Sequence, residues 1–424
     1  MNRLLRTAEP ATILRNLLQT SLALAAAAGL AGCGAVGSSN AANDLAQTLT
    51  VYSSLPLQGP DHTRQQSIVN GEKLALAQAG GHVGPFHVSI ASLDDADPSR
   101  GSWTPDIASQ AARQAAQDKT TIAYIGDFDS GATAISLPLI NEANILQISP
   151  ASGYVGLTRA GTDAGKGEPD RYYPSGVRTF ARLMPADDVQ ARAVLGYLRS
   201  LRVRRLALAT DLDVFDSQVA ELVASQARGA GIKVVAATQL DLSPAAGGSH
   251  STEVSQLAAV RPDAVLVGAA PGPGVAQLWR AVNAAIPRAK LIAPNALATP
   301  SFLASLSARE RSASYVVSPV LELRSYPPAA QRLARDYQQQ FGAPATPYAL
   351  YGYEAMRAAL ASVRAAGKHG ADRLSVVRAF FRLGTRDSVL GRYSVAPTGD
   401  ISLRAFAGYR VGPGGVLRLQ RKLN

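Results

Sequence analysis

The chain has 424 residues, with 42 basic side chains against 31 acidic ones, a formal net charge of +11 and one cysteine. That length suits two domains of ordinary size, and a single cysteine excludes an internal disulfide. The basic residues are scattered, and the densest run, Arg199 to Arg205, has no interleaved aromatics. It reads as a solvated patch, which argues against nucleic acid as a partner.

Residues 1–32 read as a signal peptide. Arg3, Arg6 and Arg15 form a basic start, and Leu17 to Leu30 is apolar but too short for a comfortable span. Leu30-Ala31-Gly32-Cys33 matches the bacterial lipoprotein signal in all four places. The expectation is diacylglycerol on Cys33, cleavage before it, and a Gly/Ala/Ser/Asn tether over 33–47. The remaining 392 residues carry +9 and offer no further run of 18 uncharged apolar residues. The protein is therefore expected outside the cytoplasmic membrane of a bacterium, held to it through the lipid on Cys33.

Leu49–Leu55 predicts a buried strand, stopped by Pro56, Gly59 and Pro60. Thr63–Ala79 predicts a helix ending at Gly80-Gly81, and Phe86–Ser92 the next strand. Asp94-Asp95-Ala96-Asp97-Pro98 lacks the glycine and the distant glutamate of a calcium loop, and reads as a polar loop capping the helix Pro105–Asp118. Ile122–Gly153 is a strand–helix–strand unit of about the minimum length. A right-handed crossover puts its two turns, Asp127–Ser130 and Pro150–Gly153, on one sheet edge. Ser130 stands at the expected N-cap, where free N–H groups and a partial positive charge can receive a small anion. A helix cap with no ligand is the competing reading.

Gly156–Arg178 has no period and reads as an ordered surface loop or flap. Asp187 or Asp188 caps a helix to about Leu201. Strands at Arg205–Thr210, Ile232–Thr238, Asp263–Gly268 and Lys290–Ala293 then alternate with helices at Phe215–Arg228, Thr252–Val260 and Val275–Ala285. This βα alternation predicts an α/β protein of two doubly wound parallel-sheet domains in series. Ser314–Val320 is extended, and Pro328–Phe341, Tyr348–Ala366 and Leu374–Leu383 are helical. Tyr348, Tyr351 and Tyr353 crowd one helix start, suited to a pocket wall or to core packing. Gly391–Tyr393 and Leu403–Val411 read as a hairpin around the turn Pro397-Thr398-Gly399-Asp400.

Catalytic and cofactor signatures are missing from the sequence. The five histidines lack metal-ligand spacing, there is no G-x-S-x-G elbow, and Gly165-Lys166 is followed by Gly167 rather than the hydroxyl of a phosphate loop. Asp127, Asp129 and Ser130 have no base near them in sequence. The chain holds loops suited to gripping a solute and predicts no cofactor and no metal.

The residues that carry a family likeness are Leu55-Pro56-Leu57-Gln58-Gly59-Pro60, Asn70-Gly71, Asp94–Pro98, Ile125-Gly126 with Ser130-Gly131, Ile148-Ser149-Pro150-Ala151 and Tyr348–Glu354. In that order and spacing, over roughly 49–410, the chain resembles the branched-chain amino acid-type (leucine/isoleucine/valine) substrate-binding proteins of bacterial ABC transporters, of the type I periplasmic binding fold. The resemblance implies two lobes joined by three hinge crossovers: lobe I from 48–184 plus 318–390, lobe II from 185–317 plus 391–424. It implies ligand contacts at Ser130, Gly131, Ala151, Ser152 and Gly153, with Phe215 covering the ligand from the other lobe and Tyr348 and Tyr351 beside it. Asn295 falls where such proteins usually carry an acid for the ligand ammonium. Asn cannot neutralise a buried cation. That departure leaves a carboxylate, amide, urea-like or aromatic acid solute open beside an amino acid.

The implied function is the solute-binding component of an ABC importer, a monomer that closes by hinge motion and docks on permease subunits. A receptor of the same fold that signals rather than transports is the second reading. A hydrolase using Ser130 and a scaffold that binds nothing complete the set.

Overall fold

The computed structural model describes residues 47–242 and 250–423. The expected signal at 1–32, Cys33 and the tether up to residue 46 lie outside the described residues.

Two sheets organise residues 47–423. The first runs His82–Val83, Phe86–Asp94, Thr48–Leu55, Thr121–Ile125, Leu146–Ser149, Phe180–Arg182 in spatial order. All pair in parallel except the short His82–Val83 stub. The second runs Lys233–Gln239, Arg205–Thr210, Ala264–Gly268, Lys290–Ala293, Ser314–Ser318, Phe406–Val411, Leu417–Leu423. Its first five strands are parallel and its last two antiparallel. The parallel strands are short apolar runs because helices cover both faces. Thr121–Ile125 and Ala264–Gly268 are buried at every position.

Each sheet has its own apolar core. Val51, Ile125 and Ile148 pack with Leu350, Met356 and Val376 in the first half. In the second, Leu206, Leu266 and Ile292 pack with Val194 and Val219 on one face, and Val265 and Leu291 with Trp279 on the other. Helix starts follow local chemistry. Pro105 and Pro273 open helices Pro105–Gln117 and Pro273–Ala285 at a position that needs no N–H. Asp213 caps helix Val214–Ala227 by accepting from the amides of Phe215 and Asp216.

The chain passes between the sheets three times: after Arg182, after Ser318 and after Ile401. Tyr393 and Ile401 are still buried in the first core, whereas Phe406 opens a strand of the second sheet. The third passage thus falls at 402–405, not at 391. The expected hairpin is also redrawn. Gly391–Tyr393 pairs with Arg386–Ser388, and only a Val395↔Ile401 bridge closes the Pro397–Asp400 turn. Phe406–Val411 pairs with Ser314–Ser318 and with Leu417–Leu423, an edge strand whose charged alternation hid it from the sequence reading.

The passages are tied to one another. Arg182, fully buried, sets Nε 3.0 Å from the Asp400 carboxylate and donates to the carbonyls of Ser152 and Tyr154 and to Thr158 Oγ1. Arg159 adds an ion pair to Asp400 at 2.9 Å and one to Asp188 at 2.5 Å.

Residues 156–178 form an ordered loop, exposed at 160–162, 165–167 and 170–171 but pinned to the core rather than free to move as a flap. Tyr172 and Tyr173 are buried with Leu137, Tyr154, Leu157 and Phe180, and Glu168 accepts from the hydroxyls of Tyr154 (2.9 Å) and Tyr172 (2.6 Å).

Candidate functional site

The carboxyl ends of both sheets' parallel strands face each other, and the helices that follow them start there. Three contacts fix the approach. Asp61 of the first half accepts from the backbone N–H (3.0 Å) and Oγ (2.5 Å) of Ser301 in the second. Gln218 of the second half accepts from Val155 N–H at 2.8 Å. The Phe215 ring meets Tyr154 edge-on at 4.8 Å between centroids.

Ser130 is the first residue of helix Ser130–Glu142, and Asp129, not Ser130, holds the N-cap. Ser130 Oγ accepts instead from the amides of Gly153 and Tyr154, each at 3.2 Å. The two turns of the central unit do meet, but the amides expected for a ligand are satisfied within the protein in this form. Ala151 is half-buried and donates its N–H to Ser149 Oγ at 3.2 Å. Ser152 is buried, its hydroxyl shared with Thr133 at 2.7 Å and with the Asp127 carbonyl at 3.2 Å, so it braces the turn.

Gly153 is glycine for a steric reason. A Cβ there would lie 2.2 Å from Asp187 Oδ1. Asp187 belongs to the first turn of helix Asp187–Ser200, whose N-cap is Ala186, so neither aspartate caps that helix as the sequence suggested. Burial pushes the Asp187 carboxyl up to about 6, with Arg182 opposing. Asn295 is turned toward the passages: Oδ1 accepts from Ser318 Oγ at 2.6 Å, and its N–H donates to Gln190 Oε1 at 2.9 Å. The acid that meets this region from the second half is therefore Asp187, set against Gly153. Its two neighbours in sequence, Asp188 and Ala186, gave no sign of this role.

Aromatic rings wall the same region. At Gly131 a Cβ would sit 2.4 Å from the Trp103 ring and 3.2 Å from Phe215, so both rings lie on the helix start. Trp103 went unnoticed in the sequence because it stands on a two-residue strand paired with Ala96–Asp97. Asp94 and Asp97 tie their own turns: Asp94 accepts from Leu57 N–H at 2.8 Å, and Asp97 from Ser99 N–H at 2.8 Å, rather than capping the next helix. Tyr348 packs on Phe128 at 5.8 Å and carries the guanidinium of Arg64, which lies 4.5 Å from the Phe128 centroid and 5.3 Å from that of Tyr348. Tyr351 is buried further in. Its hydroxyl bonds the Pro319 carbonyl at 3.2 Å and lies 3.3 Å from Tyr326 Oη, which places it in the core below the cleft.

Arg64 reaches this position because helices His62–Gln78 and Tyr348–Ala366 touch backbone to backbone. A Cβ on Gly71 would lie 2.1 Å from the Ala349 carbonyl, and one on Gly352 2.1 Å from the Ile68 carbonyl.

The second half presents acids. Burial and the neighbouring Asp213, Asp211, Asp129 and Asp187 push Asp216 well above the usual carboxylate range. Asp211 is pushed up to about 6 by burial and Asp213. Across the cleft, burial pushes Asp129 up to about 6 against the pull of Arg64. Among the described residues no cluster of three or more histidine, cysteine or acidic side chains suits a metal ion, and no helix is long and apolar enough to cross a membrane.

The family model described as periplasmic binding protein matches residues 48–411. No curated protein sequence matches the chain. Among solved structures it is similar to the leucine-binding protein LivK of Thermotoga maritima, at 17% identity over 89% of this chain and 99% of that one, with a TM-score of 0.73. The branched-chain amino acid transporter substrate-binding protein LivJ of Streptococcus pneumoniae, in complex with isoleucine, gives 16% identity, coverage of 89% and 99%, and 0.69. A solute-binding protein of an R. palustris ABC transporter, in complex with benzoate, gives 17%, 88% and 96%, and 0.67. The shared architecture is the type I periplasmic binding fold.

Proposed function

The chain belongs to the periplasmic binding protein family, and from that premise we propose that it is the extracytoplasmic solute-binding component of an ABC importer. It captures a small amino-acid-like or carboxylate/amide solute between its halves and hands it to permease subunits. The chain is held to the membrane through lipid on Cys33. The observation that carries the reading is the meeting of Phe215, from the second half, with Gly131 and Tyr154 of the first, beside Ser130. A side chain that crosses between the halves to cover a polar turn is what capture by lobe closure requires. Neighbours that hold isoleucine and benzoate support a solute of that size.

The test is thermal unfolding of the full chain with leucine, isoleucine, benzoate, their amides, urea and putrescine. A solute at 100 times its dissociation constant adds about 2.7 kcal/mol to the native state, a plain upward shift. Ser130→Ala is expected to weaken the bound solute about tenfold, the worth of one polar contact of roughly 1.4 kcal/mol. Absence of any shift across the panel overturns the reading, and unchanged affinity in Ser130→Ala removes Ser130 from the site.

A further inference from the structure

Among the described residues Arg64 is a cation that makes no ion pair. It stands in the first turn of helix His62–Gln78, three residues after Asp61, whose carboxylate grips Ser301 of the opposite half. Its Nε is buried with no hydrogen-bond partner. Among the described residues its guanidinium makes neither a side-chain hydrogen bond nor an ion pair, and its contacts are the two rings of Phe128 and Tyr348. Asp129 acts on it through charge at longer range.

Arg64 is half-buried, and Nε is the atom shut off from solvent; an arginine has five N–H donors and no acceptor, so a buried N–H without an acceptor is costly. Aromatic rings offer a guanidinium their faces. Its N–H donors lie in its own plane, in the fork that matches a carboxylate. Phe128 directly precedes Asp129 and Ser130, so Arg64 is stacked on the residue that leads into the Ser130 turn. At that turn the amides of Gly153 and Tyr154 are already engaged by Ser130, and Asp187 stands against them. A carboxylate placed there meets an acid, whereas one placed at Arg64 meets an unpaired cation.

We infer that Arg64, stacked on Phe128 and Tyr348, is the anchor for a planar carboxylate of the solute, whose remaining polar end turns toward Asp187 and Ser130. The inference rests on the solute-binding reading and narrows it to acids. It reverses the orientation expected from the sequence, which set the carboxylate on Ser130.

The test compares acids with their neutral or cationic amides on the full chain: benzoate with benzamide, 4-methylpentanoate with 4-methylpentanamide, and leucine with leucinamide, with urea and putrescine alongside. Dissociation constants are read by calorimetry for the parent, Arg64→Gln and Arg64→Lys. The parent is expected to prefer the acid of at least one pair by about 10- to 100-fold, the range of a charge-assisted contact. Arg64→Gln is expected to abolish that preference, and Arg64→Lys to keep part of it without the fork. The ligand-free melting temperature is expected to move little in either variant, since Arg64 makes ring contacts but no side-chain hydrogen bond. Amides that bind as well as acids, or an acid preference that survives Arg64→Gln, overturn the inference and leave the solute-binding reading intact. A chain that binds none of these compounds overturns that reading and the inference with it.

Discussion

The two edges of the cleft are built by one backbone device and differ in charge: buried acids stand on both, and the cation Arg64 stands only beside the first. On the first half, strand Thr121–Ile125 runs into the start of helix Ser130–Glu142, with Arg64 and the amides of Gly153 and Tyr154 beside it. On the second, strand Arg205–Thr210 runs into helix Val214–Ala227, with Asp211, Asp213, Asp216 and Asp187 gathered there. An acid near a helix N-terminus is ordinarily favoured. Crowding these acids overrides that preference: burial with mutual repulsion raises Asp211 and Asp216, and burial raises Asp187 even with Arg182 opposing. The comparison teaches that the doubly wound fold supplies the same backbone start at both edges, and the side chains of each half decide the charge that stands there.

Gly153→Ser breaks this arrangement most directly, because the two edges come closest at Gly153 and Asp187. A Cβ that must displace Asp187 is expected to cost about 1–3 kcal/mol by denaturant unfolding. Asp187→Ala in the same chain is expected to recover most of that loss. A double mutant no more stable than Gly153→Ser would show that the clash lies elsewhere.

The buried acids of both halves also set a pH dependence. Asp129, Asp187 and Asp211 are raised to about 6, Asp127 to about 7 and Glu72 to about 8, chiefly by burial. A group whose pKa is higher folded than unfolded makes the folded state the better proton binder, so stability falls as pH rises from about 4 through 8. The lowered Asp118, Asp188 and Asp372 act in the opposite sense. Their stabilisation is present above the ordinary aspartate pKa of about 3.9 and is lost as pH falls below it. Melting temperature without ligand is therefore expected to peak near pH 5 and to be lower at pH 8. A curve that climbs from pH 5 to pH 8 would contradict the raised buried acids.

The smallest effect is expected at Asp61. Asp61→Ala removes both bonds to Ser301 across the halves. The loss is expected to be about 1 kcal/mol or less in stability, with a larger radius of gyration in solution scattering of the ligand-free chain. An unchanged radius would mean that the clasp does not hold the halves together.

Much of this was legible from local pattern. The runs Ile122–Gly126 and Ile145–Ser149, with Ser130 and Gly153 at their ends, predicted one sheet edge, and the structure brings Ser130 Oγ to the amides of 153 and 154. Phe215, which the resemblance sets over a ligand from the other lobe, lies against Gly131. What local pattern lacked was partner identity. Gly391–Tyr393 and Phe406–Val411 each look like half a hairpin, and nothing within six residues says that one belongs to each half. Tyr172 and Tyr173 sit in a stretch without period, so only the distant Leu137 and Phe180 explain their burial.

The sequence by itself determined the alternation of apolar runs and helices, the turns that end them, and hence a two-sheet α/β chain. Those signals lie within a few residues of one another and follow from backbone and side-chain periodicity. The charges that meet across the cleft were decided by tertiary structure alone. Arg64 is one exposed-looking arginine in a helix start until Gly71 and Gly352 let two helices touch and set it on Phe128 and Tyr348. Asp187 is one acid of a helix's first turn until the absent side chain of Gly153 admits its carboxylate.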